Sequence, residues 1–427
     1  VPAGLLLSTG DGGAWYYTQN EDGSFASPNG PFAFSTLTVV SGGWQLVTHE
    51  GITFNFNSSG YLTIRVERTG ETTSYAWSAG ELTAITDQFS RPVDLSYNSG
   101  LLSSIQDLAA NTWTIAHSGT DLTSITDPDP GNGEGAPVWQ YAYSGNYMSS
   151  EIDPNGNQAS FTLDSFHRLS GTDLPGGAST AGTSEQDFGY GSTNSSDPAN
   201  LTLAASVTPT STDANGNQSG YQTNAFGEVT SETDPYGDSE TVQRDANGLP
   251  TVITLPPPAT GEANPVTDIY YNSTGDETYA TGASPTYGTF TYTADSFGQW
   301  ATFTDSLGNE WVRTFDASGN ILTESDPSGA EVSWTYSTYG LPLTMTMPAP
   351  NDAVGTVTVT YHYDTDDRLV EIVWPDNTNE QIGYNADDFE TSYQDENGNV
   401  TTVGVDVLGR TVSVTNPAGG VTSTTYD

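Results

Sequence analysis

Apolar and polar residues alternate along short stretches of this chain, and the alternation predicts β-strands. Such stretches include "EWVRTF" (residues 310–315) and "EVSWTYS" (residues 331–337). Pairs of apolar residues two positions apart, such as Trp334 and Tyr336 or Ile382 and Tyr384, would share one face of a pleated strand. No stretch keeps the 3.6-residue period of a helix, and β-branched and aromatic residues dominate. We therefore predict an all-β chain.

Turn residues recur with a fixed period. Three series of positions step by 21 residues: Asp305, Asp326 and Met347; Asp213, Asp234 and Leu255; Trp374, Asp395 and Asn416. Pro often follows this position directly, and Gly often lies three residues after it, which is typical of a turn. We call it the first turn. Eleven residues after the start of the first turn lies an Asp or Asn that directly follows an aromatic or apolar residue, as Asp316 follows Phe315. This Asp or Asn begins a second turn. Each repeat is therefore predicted to be a β-hairpin.

The same repeat covers most of the chain. The motifs "LTAITD", "LSSIQD" and "LTSITD" (residues 82–87, 102–107 and 122–127) keep a period of 20. Residues 46–427 hold about seventeen repeats of 20–27 residues, and the longer ones carry Pro- or Gly-rich inserts. Residues 1–45 do not follow the period and are predicted to cap or begin the sheet. Neither end carries an evident start or stop signal, so we expect the repeats to continue in a longer protein.

A single hairpin is marginally stable in water, so the hairpins must pair with their neighbours. Side-by-side pairing predicts one wide sheet, curved or spiral because strands twist. A β-propeller is the alternative, since two repeats would make a blade of about 42 residues. Separate four-stranded blades would identify it.

The repeat resembles the YD repeat of the Rhs family. The resemblance lies in "DPSGAEVSWTYSTYGLPL" (residues 326–343), "YHYDTDDRLVEIVWPD" (residues 361–376) and "HEGITFNFNSSGYLTIRVERTGE" (residues 49–71), which is similar to the segment that leads into such repeats. It implies stacked hairpins that wrap into a hollow shell around a toxic C-terminal domain, or that form part of a surface fibre or adhesion protein. The self-cleaving Asp region of that family has no match here.

The charge composition excludes one class of partner. The chain has 53 acidic and 8 basic residues, a net charge of −45, and all the basic residues are Arg. Phosphate binding needs clustered cations, so nucleic acid is not expected as a partner. The chain has no Cys, which excludes disulfides, thiol catalysis and Cys-type zinc sites.

Several first turns carry oxygen ligands at alternate positions, which is typical of calcium loops. They are Asp153/Asn155/Asn157, Asp213/Asn215/Asn217 and Asp395/Asn397/Asn399, with Asp164 and Asp406 eleven residues after two of the leading acids. The favoured alternative is that Asp and Asn cap tight turns and Gly supplies the left-handed corner. Gly stands at the fourth place rather than the sixth, so no metal site is predicted.

Other candidate chemistry also has a structural interpretation. His167 and His362 lie in repeat positions without a recurring Ser or Asp partner, so no catalytic triad is predicted. The acidic pairs at residues 366–367 and 387–388 fall in predicted turns, which favours solvated turns over paired catalytic carboxylates. Rows of Tyr and Trp could stack on sugar rings, but a sheet needs the same rows for cross-strand packing.

The sequence thus predicts no enzyme, no cofactor and no catalytic residue. We expect a repeat scaffold of a large secreted or cell-surface protein, with structural, adhesion or filament roles. Its partners would be other proteins, further copies of itself or cell-surface glycans, without membrane insertion. The alternatives are the wall of a toxin-sequestering Rhs shell and a carbohydrate-binding surface.

Overall fold

The computed structural model describes residues 3–10, 13–131, 133–165, 167–174, 186–189, 210–213, 215–224, 228–259, 261–282, 288–350 and 355–426. All regular secondary structure in these ranges is β-strand. Residues 175–185 and 190–209, which include Pro175, and the second-turn Gly227 lie outside the described residues.

The first strands are β1 (Gly4–Ser8), β2 (Ala14–Gln19), β3 (Phe25–Ala26), β4 (Thr36–Val40), β5 (Gly43–Val47), β6 (Thr53–Asn57), β7 (Leu62–Val66), β8 (Thr72–Ser78), β9 (Glu81–Thr86), β10 (Pro92–Asn98), β11 (Leu101–Gln106), β12 (Thr112–Ser118) and β13 (Asp121–Thr126). The middle strands are β14 (Val138–Ser144), β15 (Tyr147–Ile152), β16 (Gln158–Leu163), β17 (Leu169–Asp173), β18 (Gln186–Gly189), β19 (Thr210–Thr212), β20 (Gln218–Thr223), β21 (Val229–Thr233), β22 (Ser239–Arg244), β23 (Pro250–Thr254), β24 (Val266–Tyr271), β25 (Glu277–Thr281) and β26 (Thr289–Ala294).

The last strands are β27 (Trp300–Thr304), β28 (Glu310–Phe315), β29 (Ile321–Ser325), β30 (Glu331–Tyr336), β31 (Pro342–Pro348), β32 (Thr356–Tyr363), β33 (Leu369–Val373), β34 (Asn379–Tyr384), β35 (Glu390–Gln394), β36 (Val400–Val405), β37 (Thr411–Thr415) and β38 (Val421–Ser423). The predicted strands "EWVRTF" and "EVSWTY" are β28 and β30. The all-β prediction is confirmed.

The chain divides into two compact units. Unit 1 comprises residues 1–36, 139–294 and 303–309, and unit 2 comprises residues 37–138, 295–302 and 310–427. In unit 1, β1, β2 and β3 form a three-stranded antiparallel sheet. The predicted division into residues 1–45 and 46–427 stays a prediction.

Tandem hairpins form continuous antiparallel ladders within each unit. In unit 2, each strand from β5 to β13 pairs with the next, and so does each strand from β28 to β38. In unit 1, the same holds from β14 to β26. Ladders of this length are not the four-stranded blades of a propeller, and the tandem-hairpin prediction is confirmed.

The two turns of a repeat differ in strand register. Where a second turn joins two strands, the ladder carries a bulge, as between Thr314 and Phe315 at the β28–β29 hairpin. Where a first turn joins them, as at β29–β30, the register runs without a shift. A bulge increases local twist and bends the strand. Each ladder is therefore more twisted along the edge that carries its second turns than along the edge that carries its first turns.

The change of period from 20 to 21 residues lies in the second turn. In the early repeats, Tyr97 pairs with Leu102 around a two-residue corner formed by Ser99 and Gly100, whose φ angles of 55° and 82° belong to a type I′ hairpin. In the later repeats, Phe315 pairs with Ile321, one residue further along the chain. The extra residue accommodates the longer turn that begins with Asp316.

Strand faces are half-buried rather than enclosed. Strands β8, β10 and β12 alternate exposed and half-buried residues along their whole length. Among the described residues, the buried apolar side chains are Tyr17, Leu37, Leu46, Ala280 and Val359. The half-buried face carries the aromatic and aliphatic side chains, as expected for a sheet whose stability comes from cross-strand pairs.

In unit 1, residues before β4 pack against turns of later repeats. The Gly30 amide donates to the Asn247 carbonyl at 3.0 Å, and the Phe34 ring lies against Gly275. The buried Tyr17 hydroxyl lies 2.7 Å from Ser35 Oγ. The segment after β3 is thereby held on two turns of the repeat ladder.

Candidate functional site

Carboxylates of the first turns cap the turns from within. Asp305 Oδ1 accepts the Leu307 and Asn309 amides at 2.8 and 2.9 Å, and its Oδ2 accepts Asn309 Nδ2 at 2.8 Å. The Gly308 amide closes the turn by donating to the Asp305 carbonyl at 3.0 Å. The hydrogen bond from the Asn309 side chain lowers the pKa of Asp305 more than the small burial raises it. The leading acid therefore holds the turn while ionised.

The calcium alternative concerned turns of this same geometry. Asp153, Asp213 and Asp395 each accept two backbone amides on Oδ1 and the following Asn side chain on Oδ2. Asp164 begins the opposite turn of its hairpin, at the far end of the six-residue strand β16, about 20 Å along the chain. No cluster of three metal-ligating side chains occurs in the described ranges.

An aromatic column joins successive repeats by hydrogen bonds to the backbone. Tyr336, Tyr384 and Tyr426 donate their hydroxyls to the carbonyls of Ile321, Leu369 and Thr411, at 2.6, 3.0 and 2.9 Å. Each acceptor lies 15 residues before its donor, directly after the preceding second turn. In the longer repeats, Tyr271 and Tyr363 make the same bond to a carbonyl 21 residues earlier. Burial and the charge of Glu277 and Asp245 raise the pKa of Tyr271 to about 12, so the donor stays protonated.

Trp and His replace Tyr in the early repeats. Trp77 Nε1 donates to the Leu62 carbonyl at 2.7 Å, and His117 Nε2 lies 2.8 Å from the Leu102 carbonyl, again 15 residues back. A carbonyl only accepts, so His117 carries its proton on Nε2. The sequence analysis did not single out His117, although its place in the column, directly after "TWTIA", was the available signal.

The two histidines singled out from the sequence lie apart. The His167 ring stacks on Tyr147 at 4.2 Å between centroids, in a turn where its φ is 63°. His362 is exposed and its Nε2 lies 3.8 Å from Glu371 Oε2. The structure places neither in a Ser-His-Asp arrangement, and both have neighbours that account for their position.

Two runs of turns meet in unit 2, and we call this contact the turn seam. It joins the first turns at residues 48–52, 67–71, 87–91 and 107–111 to the second turns at residues 295–299, 316–320, 337–341, 364–368, 385–389 and 406–410. Arg68 Nη2 donates to the Gly319 carbonyl at 3.2 Å, and its guanidinium lies 4.9 Å from the Phe297 ring centroid. Gly51 lies against Phe297, and Thr69 lies against Gly340.

Arg91 binds three carboxylates at the middle of the seam. Its Nε donates to Asp87 Oδ2 at 2.7 Å within its own turn. Its Nη1 reaches Asp388 Oδ2 at 3.0 Å and Asp366 Oδ2 at 3.5 Å in two facing turns. Gln88 adds a hydrogen bond to Asp367 Oδ2 at 3.1 Å. The guanidinium therefore crosslinks one first turn to two second turns.

A second arginine supports the facing side of the same cluster. Arg368 Nε donates to Asp364 Oδ2 at 2.8 Å, and its Nη1 donates to Asp388 Oδ1 at 2.8 Å. The hydrogen bond to Asp364 is the largest cause of the raised pKa of Arg368. Partial burial opposes ionisation of Asp364, but its bonds from Arg368 lower the pKa of that carboxyl overall. Asp388 thus lies between two guanidinium groups.

The acidic pairs lie in turns, but they are contact residues. Asp367 and Asp388 stand where most turns have Gly, and both keep the left-handed backbone, with φ of 58° and 64°. This conformation disfavours residues with a Cβ. Interpreting the pairs as solvated turns missed the contacts of both side chains across the seam. The missing Gly at a left-handed position was the sequence signal for them.

A cleft lies beside the seam where the next turns meet. It has a volume of about 370 Å³, and its lining includes Asp107, Leu108, Trp113, Asp387, Phe389 and Leu408. Asn111 Nδ2 bridges the two acids, at 2.9 Å from Asp107 Oδ2 and 3.3 Å from Asp387 Oδ1. Burial raises the pKa of Asp387, and the nearby charge of Asp107 raises it further.

Comparison with known proteins gives structural likeness without a family assignment. No protein-family model matches the sequence, and no curated protein matches it. The chain is similar to the crystal structure of TcdB2-TccC3-TEV, with 10% identity over 96% of this chain and a TM-score of 0.46. The corresponding values are 12%, 94% and 0.45 for the Photorhabdus luminescens Tc holotoxin pore, and 11%, 97% and 0.40 for TcdB2-TccC3.

The chain spans about a quarter of the length of these solved chains, which it covers to 24%, 24% and 26%. Within the described part of the chain, no helix has the length and apolar character needed to cross a membrane.

Proposed function

We propose that the chain is a non-enzymatic structural scaffold of a larger secreted or cell-surface protein. This proposal rests on one observation: the recurring polar side chains connect one hairpin to the next. Tyr384 donates to the Leu369 carbonyl, and Arg368 binds both Asp364 and Asp388. Tyr, Asp and Arg are residue types that often act in catalysis or ligand binding. In this chain their repeated contacts are with other residues of the sheet.

The distribution of charge supports protein partners or self-assembly. All eight arginines contact carboxylates, carbonyls or aromatic rings of the chain: Arg65, Arg68, Arg91, Arg168, Arg244, Arg313, Arg368 and Arg410. With a net charge of −45, a surface whose few cations are already paired suits a soluble extracellular module better than a phosphate-binding one.

A combined activity and assembly experiment tests the scaffold. The purified chain is incubated with glycoside, ester, peptide and phosphodiester substrates, and its mass is followed by light scattering. We expect no turnover, and we expect the triple variant Tyr336→Phe/Tyr384→Phe/Tyr426→Phe to be less stable than the wild-type chain. Saturable turnover that the single variant Asp387→Asn abolishes would contradict a non-enzymatic role.

The wall of an encapsulating shell is the second candidate, and the turn seam favours it. Arg91 crosslinks turns that are separated by 275 to 297 residues, which is the kind of contact that closes a sheet upon itself. In the full-length protein, any domain that follows the repeats would then resist added protease. Arg91→Ala should expose it, whereas Arg313→Ala, which removes the ion pair with Glu324 between strands β28 and β29 outside the seam, should not. Equal digestion of the wild-type and both variants would eliminate the shell.

Carbohydrate binding remains the third prediction. It requires aromatic faces available to sugar rings, and the repeated Tyr column is engaged with backbone carbonyls instead. A glycan array is the direct measurement, and saturable binding of a neutral or acidic glycan would revive it.

A further inference from the structure

Two neighbouring first turns enter the seam in equivalent ways but with different last residues. The turn at residues 87–91 ends in Arg91, and the turn at residues 107–111 ends in Asn111. Each begins with an Asp whose Oδ1 caps the turn by accepting two backbone amides. Their side chains can therefore be compared position by position.

Arg91 shows what this position binds. Its guanidinium lies between Asp87 of its own turn and Asp366, the third residue of the facing turn at residues 364–368. One repeat along, Asn111 lies between Asp107 of its own turn and Asp387, the third residue of the facing turn at residues 385–389. Arg91 also binds Asp388 at 3.0 Å, and the equivalent residue of the next facing turn is Gly409, so the Asn111 site keeps two of the three carboxylates that bind Arg91.

An amide is a poor substitute for a guanidinium here. Asn111 Nδ2 approaches the two oxygens of Asp387 only to 3.3 and 3.4 Å, and it is already bound to Asp107 at 2.9 Å. An amide carries no charge, so it does not neutralise two adjacent carboxylates. Burial and the charges of Asp107 and Asp388 accordingly raise the pKa of Asp387, and the Asn111 hydrogen bond only partly opposes them.

Asp107 and Asp387 both line the cleft of about 370 Å³, and its other walls suit an extended cation. Trp113 and Phe389 offer aromatic faces, and Leu108 and Leu408 offer aliphatic ones. A planar guanidinium binds carboxylates through two parallel hydrogen bonds and stacks on aromatic rings, while its methylene stem covers apolar surface.

We propose that this cleft is a binding site for a guanidinium group on an aliphatic stem, with Asp387 and Asp107 as its anionic ligands. Arg91, bound one repeat earlier by the equivalent carboxylates, is the internal precedent for the ligand. The source is either an arginine side chain of a protein segment or a free alkylguanidine. The proposal does not depend on the scaffold function.

The test is a titration of the whole chain labelled with 5-fluorotryptophan, followed by ¹⁹F NMR. The variant Trp113→Phe assigns the reporting resonance. Agmatine is the small probe, the tripeptide Gly-Arg-Gly is the peptide probe, and sodium chloride at equal ionic strength is the control. We expect a saturable shift of the Trp113 resonance with agmatine and no saturation with salt.

Three variants separate site binding from general attraction to an acidic protein. Asp387→Asn removes the charge and should weaken agmatine binding at least tenfold, whereas Asp376→Asn, in an exposed first turn, should leave it unchanged. Asn111→Arg should place a guanidinium of the chain itself in the cleft, abolish the titration and raise the urea midpoint of unfolding.

The agmatine and Gly-Arg-Gly titrations also identify the source of the ligand. Binding of Gly-Arg-Gly as tight as that of agmatine indicates an arginine side chain, and binding of agmatine alone indicates a free alkylguanidine. A Trp113 shift that keeps its wild-type affinity in Asp387→Asn, that persists in Asn111→Arg or that never saturates overturns the proposal.

Discussion

The Tyr384 hydroxyl donates to the Leu369 carbonyl at 3.0 Å, and this bond ties one repeat to the next. Leu369 is the first residue of β33 after a second turn, and Tyr384 is the last residue of β34. The Arg368 guanidinium lies 5.1 Å from the Tyr384 ring centroid and binds Asp364 at the start of the same turn. Tyr384 of one repeat and Asp364 and Arg368 of the repeat before it therefore form one joint.

Removing one such hydroxyl should weaken that joint. Tyr384→Phe leaves the Leu369 carbonyl without its donor, and the loss of one neutral hydrogen bond costs about 1 kcal/mol. Urea unfolding measures the cost, and hydrogen exchange should report faster opening of β33 and β34. Tyr361→Phe is the control, because no hydrogen bond of the Tyr361 hydroxyl occurs in the part of the chain that the structure describes. Equal effects of both variants would show that the bond contributes nothing specific.

A substitution of His117 should stabilise the chain, in contrast to Tyr384→Phe. Its Nε2 makes the bond of the column, but its Nδ1 is buried without a hydrogen-bond partner among the described residues. Burying an unpaired polar atom costs about 1–3 kcal/mol, so His117→Tyr should raise stability by about 1 kcal/mol while keeping the bond to Leu102. The urea midpoint is the measurement. His362→Tyr, at an exposed strand position, should change it little, and a destabilised His117→Tyr protein would contradict the shared role of the column.

Local pattern sufficed for the hairpins because each turn is held by its own residues. Asp305, Gly308 and Asn309 make the turn within five residues, so the period in the sequence is the period of the fold. The Tyr column was recognised as an aromatic face, but its hydrogen bonds were not predicted. They depend on which carbonyl lies beneath each ring, and that follows from register.

The seam could not be predicted by the same means. Arg91 and Asp388 are 297 residues apart, and nothing in the period states which turns meet. What the sequence did contain was an exception: Asp in place of Gly at positions 367 and 388, and a rare Arg at position 91. A non-glycine residue in the left-handed conformation costs free energy. Its side chain is therefore expected to make a stabilising contact.

Acid should loosen the first turns. Hydrogen bonds from Asn309 and from backbone amides lower the pKa of Asp305 in the folded chain, below the unfolded value of about 3.9. A group with a lowered folded pKa stabilises the protein above its unfolded pKa, and this contribution is lost as the pH falls through the folded value. Asp153, Asp213, Asp326 and Asp395 shift in the same direction.

The variant Asp305→Asn measures the contribution of a single turn to this pH-dependent stability. It should have a lower urea midpoint than the wild-type protein at neutral pH, because an Asn side chain has one acceptor oxygen and its NH2 group cannot accept the hydrogen bond that Asp305 Oδ2 accepts from Asn309 Nδ2. The difference should shrink as the pH falls below the unfolded pKa of about 3.9 and through the lowered pKa of the folded wild-type carboxyl. A difference that stays constant over that range would mean that the charge of Asp305 is not what holds the turn.

The left-handed aspartate at position 388 gives the sharpest test of the seam. Asp388→Gly relieves the backbone strain, which favours the folded state by about 1 kcal/mol, but it removes the carboxylate that binds both Arg91 and Arg368. Hydrogen bonds to charged groups contribute about 1.5–3 kcal/mol each, so the net effect should be destabilising. Asn377→Gly is the matched control, since Asn377 has φ of 67° at the same turn position and is exposed. Urea unfolding should show Asn377→Gly unchanged or slightly stabilised and Asp388→Gly destabilised. If Asp388→Gly is the more stable of the two, the carboxylate does not hold the seam.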